Sequence, residues 1–171
     1  MSDLLEWAEM CGMENLRAHR EDADTLKKQA ATTLTVLLAG ATGGLAYAIK
    51  GIEYGSLWWA VGSAAFAAYL YGLCALLVFQ TLTIKDYPSL HNQPLNLYQP
   101  CYSLNAIKEK ELENIQARIK QAIERNKEIS GWLNGIRYAA VASPIVFLTF
   151  AAVVVATLGP DQVDPPLGLV S

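Results

Sequence analysis

The residues of this chain whose types could do chemistry are few and poorly arranged for it. Glu14, Glu21, Asp22 and Asp24 supply carboxylates close to one another, with His19 among them. Carboxylates act as acid and base when contrasting surroundings drive their pKa values apart, and a metal needs several ligands at defined spacing. Here Arg17, Arg20, Lys27 and Lys28 alternate with the acids, so the run reads as a solvated helix face whose charges offset one another. His19 has no second His or Cys at ligand spacing. Cys11, Cys74 and Cys101 are an odd set without a CxxC pair, and Cys74 lies in an apolar run where a thiol behaves as a small hydrophobe. There is no phosphate-binding glycine loop, nucleophile elbow or HExxH. No catalytic residue, metal ligand or cofactor is nominated, and an enzyme is not expected.

Recognition is better served than catalysis. The segment from Asp86 to Leu104 carries Pro88, Pro94 and Pro100, and proline fixes φ and donates no hydrogen bond, which predicts an extended strap. Within it Tyr87, His91, Tyr98 and Tyr102, beside Asn92 and Gln93, form a candidate partner-binding loop. Downstream, Leu112, Ile115, Ile119, Ala122, Asn126 and Ile129 step alternately by three and four residues. That is the seam of a coiled coil, and a seam Asn can set register and oligomer number. Its partner is expected to be the same helix of another subunit, with the N-terminal helix of its own chain as the alternative.

The elements that must position these groups are dominated by lipid-like composition. Tyr54 to Ile84 is a run of 31 residues without Asp, Glu, Lys or Arg; Gln29 to Ile49 adds 21 and Tyr138 to Pro160 adds 23. About 20 apolar residues already cross a hydrocarbon layer roughly 30 Å thick. The expected fold is an all-α integral membrane protein with three transmembrane helices, a hairpin plus a third span. A cytosolic N-terminal amphipathic helix and a long cytosolic coiled-coil-like helix complete it. The divisions are 1–28, N-terminal helix; 29–84, transmembrane hairpin with spans at about 29–49 and 57–82; 85–103, Pro-rich cytosolic loop; 104–134, cytosolic helix; 135–159, third span; and 160–171, external tail.

Local signals refine this plan. Asp3 and Glu6 make a capping-box type start, and Leu4, Trp7, Ala8 and Cys11 share one helical face that is expected to pack on another cytosolic helix, with a break at Gly12. The acidic start is unlike a cleavable signal peptide. Gly40 and Gly44 form a GxxxG pair, and Ala64, Ala68 and Gly72 continue small-residue spacing on the second span. Helices meet in a bilayer where small residues let backbones approach, so these two faces are expected to pack together. Thr32, Thr33 and Thr35 can return their hydroxyls to backbone carbonyls. Ser130, Gly131, Asn134 and Gly135 are expected to loosen the chain before the third span, and Pro144 to kink it.

Basic residues set the orientation. Twelve Lys or Arg fall in Met1–Lys28 and Lys85–Arg137, against Lys50 alone on the opposite side. This predicts a cytosolic N-terminus and an external or periplasmic C-terminus in the inner (plasma) membrane of a bacterium, or of a phage-infected one. The net charge of −3 and the lack of a basic run with interleaved aromatics argue against nucleic acid. Uncharged spans argue against proton relays and ion-coupled transport. What remains is assembly, with the bilayer and a second copy or another membrane protein as partners. One expectation is a homo-oligomeric pore-forming or membrane-disrupting effector, a layout shared by analogy only with lysis proteins and defence effectors, and without the basic tail of many phage holins. The other is a non-conducting scaffold, a subunit of a larger membrane complex or an immunity-type binding protein.

Overall fold

Helix α1 runs unbroken from Ser2 to Glu53, in a computed structural model that describes residues 2–83, 88–89, 92 and 98–158. Helix α2 spans Leu57–Leu77 and continues as a π-helical turn, Val78–Leu82. Helix α3 spans Leu104–Val141 and α4 spans Ser143–Leu158. No strand occurs among the described residues. Both α1 and α2 with its π turn are long and apolar enough to cross a membrane, and α3 with α4 qualifies when the bent pair is taken as one span.

The chain divides into two compact units. The first, Met1–Gln29 with Thr83–Gly131, is built on the seam. Ile115, Ile119 and Ala122 are buried with Leu16, and Met13 packs on the cluster. The chain's own N-terminal helix, the alternative partner, therefore packs on the seam. A covalently tethered partner faces the seam at high effective concentration, which favours the intramolecular pairing. Asn126 donates from Nδ2 to the His19 carbonyl at 2.8 Å. Gly12 does not break α1; a Cβ there would come within 2.9 Å of Ile115 Cγ2. The missing side chain serves close packing.

This pairing also turns the N-terminal helix away from its expected face. The inward stripe is Ala8, Gly12, Leu16 and Ala23, whereas Leu4, Trp7 and Cys11 are exposed. The reason is register. Heptad partners of Ile115 and Ile119 must rise by three or four residues from Leu16, which selects Gly12 and Ala8.

The second unit, Ala30–Leu82 with Trp132–Ser171, holds the most apolar helices. A Cβ on Gly40 would lie 3.0 Å from Leu70 Cδ1, and one on Gly44 would lie 2.8 Å from Phe66 Cδ1 and 3.3 Å from Ala67 Cβ. Closest of all is Gly51, whose Cβ position is 2.7 Å from the Ala60 backbone nitrogen. Here α1 meets α2 through Ala60, Phe66, Ala67 and Leu70. The expected face of Ala64, Ala68 and Gly72 is exposed instead. Period alone could not choose between the two faces, because α2 is apolar all round; the larger side chains Leu70, Leu73 and Leu77 bury inward.

The connection between α1 and α2 closes with a Schellman motif. Gly55 has φ 72, Ser56 N–H donates to the Gly51 carbonyl at 2.9 Å and Gly55 N–H to that of Ile52 at 3.0 Å. Only glycine adopts that φ without steric cost.

Helix α3 does not loosen at Ser130, Gly131, Asn134 or Gly135. A helix carries such glycines at about 1 kcal/mol each, and the buried Leu133 and Ile136 beside them hold this turn in register. The bend comes later: α3 and α4 meet at 41° across Ala142. Pro144 has no N–H to return to Ala140, and its ring crowds that carbonyl. Tyr69 reaches the same region, donating its hydroxyl to the Ala139 carbonyl at 3.1 Å. Arg137 donates from Nε to Thr33 Oγ1 at 3.3 Å, and Thr35 returns its hydroxyl to Ala31 at 3.1 Å.

Two glycines on one helix should respond oppositely to the same substitution. Gly51→Val is expected to lower stability by about 1–3 kcal/mol, because the nearest atoms belong to backbone and cannot swing aside. Gly43→Val, whose Cβ meets nothing within 4 Å, should change it by less than about 1 kcal/mol. Thermal melting of the purified variants in detergent separates the two; equal losses would contradict the contact.

Candidate functional site

Two places gather side chains in a way that could serve recognition, one in each unit. In the second unit an apolar groove of about 570 Å³ opens beside α1. Gly40, Gly43 and Gly44 make its floor, Phe66 and Phe147 stand at its walls, and Tyr47 and Trp59 form its rim. The floor exists because glycine leaves the helix surface bare. The rim is held by edge-on ring packing: Trp59 lies 6.3 Å from Tyr47, 5.4 Å from Trp58 and 5.7 Å from Phe147, centroid to centroid. Such pairs add about 0.5–1.5 kcal/mol beyond burial. Gly62 permits the approach of α4, since a Cβ there would lie 2.9 Å from Phe147 Cε2.

Adjoining this groove is a smaller cleft of about 390 Å³, which shares Tyr47 and Trp59 and adds Lys50, Tyr54 and Ser56.

In the first unit the centre is Glu111. Its carboxylate accepts from Arg118, from Asn92 Nδ2 at 3.0 Å and from Asn114 Nδ2 at 3.4 Å. Arg118 also donates to the Ser89 carbonyl at 3.3 Å. Both charged side chains are only 13% exposed, so the ion pair is screened little by water. Ser89 and Asn92 belong to the Pro-rich segment, and this network ties that segment to α3. Beside it lies a polar cavity of about 570 Å³, reached by Gln99, Tyr102 and Lys110. Elsewhere in this unit Lys108 bonds Glu6 at 2.8 Å; the carboxylate hydrogen bond holds the lysine pKa above its ordinary value.

The sequence-derived residues are distributed unevenly over these sites. Gly40 and Gly44 line the groove and touch α2. Ile115, Ile119, Ala122 and Ile129 are buried, Leu112 and Asn126 half-buried; Asn126 Oδ1 is buried without a partner. Tyr98 and Tyr102 are exposed, while Tyr87 and His91 lie outside the described residues. Pro144 borders the groove. Sequence reasoning missed Gly51, Gly62 and the Glu111–Arg118 pair; it gives Trp59, with Tyr54 and Trp58, only the place of an interfacial aromatic. An i, i+7 acid and base on one helix face is a legible signal for that pair, but the converging strap is not.

Among the described residues no cluster of three or more His, Cys, Asp or Glu could hold a metal ion. No known family model, curated protein or solved structure matches this chain.

Removing one half of a buried pair leaves the other charge uncompensated. Glu111→Ala should therefore destabilise the first unit by about 3 kcal/mol. Glu113→Ala, which removes the exposed partner of Lys110, should cost less than about 1 kcal/mol. Urea unfolding followed by circular dichroism measures both, and similar losses would show that the strap network contributes nothing special.

Proposed function

We propose that this protein is a three-span, inner-membrane helical scaffold that works by assembling with other membrane proteins, its N-terminus in the cytosol and its C-terminus outside. The observation that carries the reading is the state of its helix-packing surfaces. The seam is occupied by the chain's own α1, and Gly40, Gly44 and Gly51 are occupied by α2, so the single chain satisfies itself. Left over is the outward face of α2, where Ala64, Ala68 and Gly72 are exposed and a Cβ on Gly72 would meet nothing within 4 Å. Small residues at this spacing suit close packing by another transmembrane helix. The twelve-to-one distribution of basic residues supports the orientation.

A second reading, a homo-oligomeric pore-forming or membrane-disrupting effector of bacterial or phage origin, is favoured by that same uncovered face. In a ring of copies, small residues on α2 would surround an opening that gates by dewetting. The scaffold reading is preferred over a selective conductor because the groove is lined almost wholly by glycine, aliphatic and aromatic residues, and the exposed Thr35 and Thr42 turn their hydroxyls back to the backbone.

The reading is tested in cells. The chain should stay in the membrane pellet after alkaline carbonate extraction, with an N-terminal tag sealed inside spheroplasts and a C-terminal tag open to protease. Gly72→Leu with Ala68→Leu should reduce recovery of assembled complexes at least about tenfold while leaving membrane insertion intact. Release of the wild-type chain by carbonate would overturn the membrane reading, and rapid dye leakage on induced expression would replace the scaffold with the pore.

A further inference from the structure

We infer that the groove and its adjoining cleft form a binding site for one phospholipid, its acyl chain lying over Gly43 and its phosphate on Lys50. This rests on the membrane reading above. Three observations carry it.

The first is shape. From Gly40 to Tyr47 the groove runs along eight residues of α1, about 10 Å of helix rise, and it stops where Leu70 closes over Gly40. That length lies within one leaflet of a hydrocarbon core roughly 30 Å thick. A transmembrane helix about 10 Å across needs a face running the depth of the bilayer, so the groove is too short for a second copy's span. An acyl chain fits it, and the volume of about 570 Å³ falls within the roughly 300–1,000 Å³ of small-molecule sites.

The second is polarity. The groove is apolar until Tyr47 and Trp59, ring types that settle at the hydrocarbon–headgroup boundary. Immediately past them come Lys50, Tyr54 and Ser56. The order matches a lipid read from tail to head.

The third is charge. Lys50 is the one basic residue on this side of the chain's hydrophobic runs, and it lines the adjoining cleft. An ammonium there complements a phosphate. The Glu53 carboxylate on the same helix turn is exposed and outside the cleft, so it is left to water.

The site is tested by native mass spectrometry of the full chain, reconstituted in nanodiscs of equal phosphatidylglycerol and phosphatidylcholine and released into mild detergent. The wild type is expected to retain one phospholipid per chain, with phosphatidylglycerol enriched about fivefold, the selectivity one surface lysine supplies for anionic lipid. Gly43→Phe fills the groove at a position where a Cβ meets nothing within 4 Å, and should cut retention about tenfold; Gly43→Leu is the smaller plug should the phenylalanine variant fold poorly. Lys50→Gln should keep the lipid and lose the enrichment. A membrane-resident wild type without retained lipid, a plugged variant that still retains it, or a glutamine variant with unchanged selectivity would each overturn the site. A chain that leaves the membrane on carbonate extraction would instead overturn the reading beneath it.

Discussion

Close approach of backbones is the constraint on which the rest of this molecule depends. Gly51 lets α1 touch the backbone of α2 at Ala60, Gly44 and Gly40 extend that contact toward Leu70, and Gly62 brings Phe147 against α2. A glycine facing a partner helix removes the side chain that would otherwise hold the two backbones apart. The same principle appears in the first unit, where Gly12 admits Ile115. Glycine within a helix costs about 1 kcal/mol relative to alanine in water, and here that cost accompanies packing no larger residue permits.

The glycines also create the open surfaces. Where a partner helix covers them they make an interface, and where none does, as at Gly43, they leave a groove. Aromatic rings define its rim because Trp59 is wedged edge-on between Tyr47, Trp58 and Phe147. The groove and the helix contacts are thus two outcomes of one residue choice. The polar network around Glu111 works by the opposite means: directed hydrogen bonds join Asn92 to Glu111 and Ser89 to Arg118 on α3.

Much of the architecture was legible in the residues. Helical content and the locations of three apolar stretches follow from charge-free, strongly apolar runs of 21 to 31 residues, the length at which a helix spans a hydrocarbon layer. The buried positions of α3 follow from its three-and-four stepping. The site was less legible. Gly40 and Gly44 stood out by spacing, yet Gly62 lacks a partner glycine four residues away, and Gly51 has one only in Gly55 of the following turn, so both were silent. Trp59 read as an interfacial aromatic, a role that says nothing of the three rings around it.

What the amino-acid order determined by itself is the class of solvent each segment suits and the faces able to pack, since both are properties of composition and local period. What only the tertiary structure decided is which face meets which. The seam of α3 could have paired with a second copy, and α2 could have offered Ala64, Ala68 and Gly72 to α1; each alternative satisfies the same period. The choice fell to register: Leu16 meets Ile115 and Ile119, and Ala60 and Ala67 lie opposite Gly51 and Gly44. Such matching depends on how two helices align along their lengths, a relation between distant residues that neither helix carries alone.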